Sequence, residues 1–436
     1  MSAINRLHDG IMRSLARSRN HGTSLIMANQ TGKLEQRIVA PGLLSAFCFI
    51  CLLTTTAFAQ ERFRPYNNTV VLKTSIASQT KGNAAFKTLE AAWRQQPQDI
   101  QAATAYSRAV FILGMEEGDL RWYGSAKAAL LPWWQETQLP AETLFIRGLI
   151  KQGFHEFHEG LRDIDLAIAQ NPRKTEFWSW RFALNLLLSD LNSAAKDCEQ
   201  IEVFAGSLEA LQHRAVLYYR SGRSELAIQA LKQLQLNPAF SQIDSEWFQF
   251  QLGEAYRVAG QNDMALSIWR KQLSAMPKSH LIRLSLAELL NKQSLFEEVK
   301  KITDIENASD ALLVQALLAN KELKDRKELK LSKVIESRLA AQALRKESLI
   351  ERPKLIYLID YGKDYKAGLQ LSIENWKIQQ EPRDAILFVK AALLAQQPEA
   401  ASPVVSWAQQ TNYTEPELKD LLGQLNEQLK RQGKTK

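Results

Sequence analysis

The sequence predicts an all-α protein, built as a helical-repeat solenoid of antiparallel helix pairs. Three observations predict it. Alanine, leucine and glutamine dominate a 436-residue chain with only 19 glycines and 13 prolines, a composition that favours helix. From about Asn83 onward, apolar residues recur at i, i+3 and i+4 in segments of about 12–16 residues, broken by short polar turns. Those segments recur in pairs at a step of about 34 residues, the mark of stacked supersecondary units. Alternating runs rich in Val, Ile and Thr are almost absent.

The chain opens on a leader, residues 1–59. Arg37 supplies a positive flank, Ile38 to Leu53 form a short apolar core, and Ala57-Phe58-Ala59 is a small-x-small cleavage site. This reads as a secretory signal peptide cut after Ala59, so that Gln60 begins the mature chain. The expected address is outside the cytoplasm. An uncleaved anchor is the alternative, although the apolar core is short for a bilayer span of about 20 residues. Cys48 and Cys51 do not sit in a lipoprotein attachment site, because Phe47 and Ile50 stand where a small residue is needed. Residues 1–26 lengthen the basic flank beyond the ordinary, and Met27 would give a flank of normal length. Cleavage leaves Cys198 as the one cysteine, on an apolar helix face, where a buried small hydrophobe is expected.

Charge argues against nucleic acid as the partner. The formal net charge is +8, but residues 1–59 hold six basic and two acidic residues, so half of it belongs to the leader. The remaining +4 is spread along the chain without a basic run interleaved with aromatics, save for a solvated-looking stretch near Lys321–Lys333.

Residues 60–82 form an extended arm, in which TVVLKTSI has the pattern of a short strand. Helical repeats occupy 83–313. Half a unit comes first, with Ala85, Leu89, Ala92 and Pro97, then a weaker pair from Ile100 to about Trp134. The clearest unit is Glu246–Ser279, with Leu252-Gly253, Tyr256, Ala265, Trp269 and Pro277. These residues match the tetratricopeptide pattern W-x2-L-G-x2-Y…A-x3-F…P, departing from it at Gln249 and Gln272. Gly253 and Ala265 let the two helices approach, Tyr256 and Trp269 fill the space around them, Gly260 permits the turn and Pro277 ends the second helix. The same frame fits starts at 141, 175, 208 and 280. Beyond about Asp310 the period blurs. Residues 314–436 are expected to continue as degenerate pairs, with helices at about 309–321, 326–348, 366–379, 384–396 and 401–410. A last helix from Glu415 caps the array with a polar face.

Two further stretches carry a resemblance. EEGDLRWYGSAKAALLPWW (116–134) leads directly into LPAETLFIRGLIKQGFHEFHEGLRDIDLAIAQNP, and ENWKIQQEPRDA covers 374–385. Together they resemble a group of exported bacterial tetratricopeptide-repeat proteins with no assigned activity. The resemblance implies a helical-repeat fold in the periplasm and supplies no catalytic residues. Residues 314–365 are less regular than that group's repeats.

The run His155-Glu156-Phe157-His158-Glu159 has the residue types of a metal site but the spacing H-E-x-H, where a zinc hydrolase needs H-E-x-x-H. In the repeat frame it falls at a turn. Gly153 then eases the turn, Phe157 and Leu161 point to the core, and the histidines and glutamates lie at a wet rim. Trp122-Tyr123, Trp133-Trp134 and Asn375-Trp376 read either as packing or as an aromatic platform, and helical spacing favours packing. No phosphate-binding glycine loop and no G-x-S-x-G is present, and C-x-x-C occurs only within the leader. No catalytic, cofactor-binding or metal-ligating residue is expected.

The expected activity is therefore recognition. First helices of such repeats line a concave face, and their non-core residues choose the partner. In this frame those residues are Glu142, Phe145, Glu176, Gln212, Tyr219, Arg220, Trp247, Phe250, Glu254, Arg257, Glu288 and Lys292. Aromatics mixed with both charge signs suit a protein or peptide partner. The expectation is a non-catalytic exported scaffold. The alternatives are a membrane-tethered assembly factor for an envelope or secretion machine and, behind it, a metal-dependent enzyme using 155–159. A Lys/Asn-rich carboxylate clamp is not evident.

Overall fold

The computed structural model describes residues 84–117, 121–243, 245–305, 308–344 and 352–434. The leader, its cleavage site and the arm lie outside the described residues. Among the described residues every regular element is a helix.

The helices are α1 (Ala84–Gln95), α2 (Ile100–Glu117), α3 (Arg121–Ala129), α4 (Ala141–Gly153), α5 (Phe157–Gln170), α6 (Thr175–Leu187), α7 (Leu191–Ala205), α8 (Ser207–Arg220), α9 (Ser224–Leu236) and α10 (Glu246–Val258). There follow α11 (Asn262–Ala275), α12 (His280–Lys292), α13 (Phe296–Thr303), α14 (Asp310–Glu322), α15 (Lys327–Leu344) and α16 (Arg352–Ile356), which runs into a π turn at Tyr357–Tyr361. The chain ends with α17 (Tyr365–Ile378), α18 (Pro382–Leu394), α19 (Ser402–Thr411) and α20 (Pro416–Lys434). Helices pack on their sequence neighbours from α1 to α15 and from α16 to α19, the last one, α20, packs on α18, and α8, α10, α12 and α14 also touch the next first helix along. That is the packing of an antiparallel helix-pair solenoid.

A repeated cap explains why the pairs stay in step. The turn inside each pair holds one left-handed residue: His155, Ser189, Gly222, Gly260, Ser294, Lys324, Lys363 and Gln396. The next amide reaches back over the turn, as in Glu156 to Lys151 (2.9 Å), Asp190 to Asn185 (2.8 Å), Arg223 to Tyr218 (2.8 Å) and Gln261 to Tyr256 (2.9 Å). Leu295, Asp325 and Gln397 do the same with Leu290, Asn320 and Ala392. Asp364 reaches one residue further, to Leu358, because the π turn precedes it. This is the Schellman ending of a helix, and it satisfies carbonyls that the last turn leaves open. The pair architecture thus continues in the described residues of 314–344 and 352–396, where the sequence period blurs.

Within pairs, small residues set the helix–helix distance. A Cβ at Gly253 would run into the Trp269 indole, so the ring lies flat against bare backbone. Gly148 and Gly160 face each other between α4 and α5; a Cβ on either would meet the other's carbonyl oxygen at 2.8 Å. Gly153 differs from its sequence reading. The positive φ at that turn belongs to His155, while Gly153 makes room for the Tyr123 ring, 2.6 Å from where a Cβ would stand. One continuous apolar core runs from Phe86 to Leu425 and includes Trp122, Trp180, Trp247 and Trp269. No described helix is long and apolar enough to cross a membrane.

Candidate functional site

The first helices carry more apolar surface than a half-exposed repeat helix needs. Of the thirteen residues of α10, EWFQFQLGEAYRV, all but Gln249 are buried. That burial includes Glu254 and Arg257, which need charged partners once out of water. Here the cover is the chain's own C-terminal part.

Two runs make that contact. The first is the entry to α18. Gln380 donates its amide to the Leu187 carbonyl (2.9 Å), and the Ser189 hydroxyl donates to the Gln380 carbonyl (2.9 Å). Glu381 lies 3.8 Å from Arg220, and Arg383 bridges Glu254 (2.7 Å) and Glu288 (2.9 Å). The second run joins α19 to α20. The Trp407 indole donates to Ser189 (2.7 Å). The Asn412 backbone packs on Gly222, Glu415 pairs with Arg257, Pro416 covers Gly260 and Glu417 pairs with Lys292. These contacts step along the C-terminal ends of α6, α8, α10 and α12 in order.

Apart from Glu142 and Glu176, nine of the residues expected on the concave face are at least partly withdrawn from a free surface, and Lys292 is the exception. Tyr219, Arg220, Phe250, Glu254 and Arg257 line one cleft, closed over by Glu381, Pro382, Arg383 and Tyr413 and leaving a free interior of about 30 Å³. That is room for roughly two waters. The Tyr219 hydroxyl donates to Gln251 (2.6 Å), and one Arg220 nitrogen donates to the Leu186 carbonyl (2.8 Å). Glu288 pairs with Arg383, and Lys292, with its partner Glu417, remains exposed. Phe145, Gln212 and Trp247 are not face residues but core. Phe145 packs its ring 4.5 Å from Phe177, Trp247 lies 6.1 Å from the His213 ring, and Gln212 folds onto Glu209. Neighbouring repeats meet through those positions, which is why they are buried.

The remaining two lie at the other end. Glu142 and Glu176 share Arg108 and Lys174, with Glu142 still half open to solvent. The sequence frame missed Arg108, because α2 lies in its weakest repeat.

The electrostatics follow from burial. Burial pushes Glu415 up, yet the Arg257 guanidinium, Lys292 and the Tyr413 hydroxyl outweigh it and hold the carboxyl below its ordinary range. Burial raises Tyr413 and Tyr219 above the usual phenol range, so both stay protonated donors. Arg352 repeats the motif nearby, held between Asp384 (2.8 Å) and Glu381 (2.7 Å), and so fixes the α18 entry.

The acid–histidine run lies near the α18 entry, where the charges of Asp384 and Arg352 reach His155. His158 is exposed and Glu159 pairs with Arg162 at 3.0 Å. His155 does not lie in open water: its ring stacks on Phe157 at 5.2 Å, and burial pushes its pKa down to about 4. Among the described residues no three His, Cys, Asp or Glu side chains gather to hold a metal ion. Trp122 and Tyr123 are core, as is Trp376; Trp133 and Trp134 are partly exposed, with Lys127 4.7 Å over Trp134. Cys198 is buried, and burial raises its thiol to about 12.

Fold and face together define a tetratricopeptide-like helical-repeat solenoid. No family model matches the chain, and the comparison with curated proteins gives no match. Among solved structures it is similar to the crystal structure of a tetratricopeptide repeat protein from Parabacteroides merdae ATCC 43184. That similarity has 16% identity and a TM-score of 0.31, and it covers 74% of this chain and 98% of that one.

Proposed function

We propose that the protein is a non-catalytic scaffold that binds a protein or peptide partner along the inner face of its first helices. Export to the periplasm is part of this reading and rests on the Ala57-Phe58-Ala59 cleavage pattern. The single observation that carries recognition is the non-helical Tyr413–Glu415 stretch already held on α8 and α10 by aromatic and charged side chains. A face that grips non-helical chain through Arg, Tyr and Glu side chains has the chemistry of peptide recognition.

The test uses photo-crosslinking residues placed singly in the full chain. Glu142 and Lys292 report the inner face; Leu166 and Leu226, exposed on the second helices α5 and α9, report the outer one. Partner crosslinks should come from the inner positions. Crosslinks confined to Leu166 and Leu226, or equal at all four, refute the reading.

A further inference from the structure

We propose that Tyr413-Thr414-Glu415-Pro416-Glu417 is a built-in ligand, and that the face beneath it selects an acidic peptide with an aromatic residue two places before a glutamate. This rests on the recognition reading above and names the class of partner.

The run is one of two non-helical stretches packed on the first helices, with 379–381, and it is the one that presents an aromatic and an acid together. Residues 413–415 lie outside any helix, between α19 and α20, and Asn412 turns into them through a left-handed conformation. Asparagine tolerates that conformation better than most residues. From there the chain advances across three successive repeats. Asn412 lies on the α8–α9 turn at Gly222, Glu415 on Arg257 of α10, and Glu417 on Lys292 of α12. The short link 413–415 and the first turn of α20 thus meet a new repeat every two or three residues.

Its side chains are received individually. Tyr413 enters the cleft of Tyr219, Phe250 and Pro382 and is 6% exposed. Its hydroxyl donates to Glu415 at 2.6 Å, so the aromatic and the acid bind as a unit. Glu415 is 3% exposed against Arg257. The face beneath holds charges of both signs, but the acids are taken. Glu254 is engaged by Arg383 and by two nitrogens of Arg257, and Glu288 by Arg383, while the third Arg257 nitrogen and Lys292 point to the ligand run. What is left for an incoming chain is therefore cationic, and an acidic peptide fits where a basic one is repelled. The internal copy competes at the effective concentration of a tethered segment, of order millimolar, so a free peptide must displace it.

The experiment titrates full-length protein against a fluorescent peptide of residues 411–421. Glu417→Lys is the first variant, because Glu417 and Lys292 are exposed and their exchange leaves the core alone. It loosens the internal copy, and binding of the natural peptide should tighten severalfold over wild type. Tyr413→Ala/Glu415→Ala should tighten it tenfold or more, and a peptide carrying Glu415→Lys should not bind. Lys292→Glu combined with Glu417→Lys should return the peptide to wild-type weakness. Equal binding by wild type and the folded Glu417→Lys protein, or none by either, overturns the proposal. If the peptide fails while inner-face crosslinks to a partner persist, only this inference falls. If those crosslinks also move to the outer face, the recognition reading falls with it.

Discussion

Replacing Gly222 by alanine should detach the C-terminal run without touching the repeat core. Gly222 has φ +71°, and a Cβ there would run into the Asn412 carbonyl, standing 2.9 Å from its carbon. Carbon atoms pack at about 3.5–4.0 Å, so the Asn412 backbone must retreat by about 0.6 Å or more. Two costs follow. The left-handed conformation costs an alanine about 1–2 kcal/mol wherever it occurs. Displacing the run forfeits the burial of Tyr413, about 2 kcal/mol, and the charged hydrogen bonds of Glu415, about 1.5–3 kcal/mol. The expected total is about 5 kcal/mol. Gly206 supplies the control, with φ +91° and nothing within 4 Å of its would-be Cβ. Gly206→Ala should cost only backbone strain, about 1–3 kcal/mol. Denaturant unfolding gives both losses, and limited proteolysis of the native protein reports cleavage within 411–417. Gly222→Ala should open that stretch to cleavage while α8 and α10 stay intact; Gly206→Ala should not. Equal losses with unchanged resistance at 411–417 would refute the reasoning.

Gly253→Ala drives a methyl into the Trp269 indole inside a closed helix pair, so it should cost about 1–3 kcal/mol as overpacking, seen as a lower thermal midpoint; an unchanged midpoint contradicts the close approach. His155, with its pKa pushed down to about 4, takes up a proton in the unfolded chain first as pH falls from 7 to 5, so the fold loses stability over that window. His155→Asn keeps a residue that accepts positive φ, and should flatten the loss by about 1 kcal/mol; an identical pH slope speaks against a buried imidazole. Cys198, buried and with its thiol raised to about 12, should resist a water-soluble alkylating reagent at pH 8 until denaturant is added, and prompt labelling of the folded chain would contradict its burial.

Much of the helical frame was legible because its signals are local. The first helices begin at Ala141, Thr175, Ser207, Glu246 and His280, within one residue of the spacing read from the apolar pattern. Gly253 and Trp269 could be paired in advance because a bare backbone and a large ring at the right offset imply each other. The caps were harder to see. Gly222 and Gly260 announce a left-handed turn, but the same geometry falls to His155, Ser189, Ser294, Lys324, Lys363 and Gln396 elsewhere, residue types that carry no such signal. The period therefore faded in sequence where the structure keeps it.

The face was legible by position and not by state. Glu254, Arg257, Tyr219 and Lys292 do lie together on the inner side, yet their partners Arg383, Glu415 and Glu417 are 125–158 residues away in the chain. A period-34 reading relates neighbours and is blind to such returns. One clue was present. Helices such as TEFWSWRFALNLL and EWFQFQLGEAYRV are too apolar for a wet groove, and Phe145, Gln212 and Trp247 belonged to that excess.

The return of the C-terminal run onto the repeats is the claim on which the rest depends. Zero-length carbodiimide coupling of the native full-length protein, followed by peptide mapping, tests it most directly. Lys292 and Glu417 form an ion pair with both side chains more than a third exposed, open to reagent and already in contact. Lys300 and Asp325, paired between adjacent repeats, serve as the internal standard. An intramolecular Lys292–Glu417 amide should form alongside Lys300–Asp325 and vanish in Gly222→Ala. Formation of the standard without the Lys292–Glu417 link would place the C-terminal run elsewhere and contradict the account.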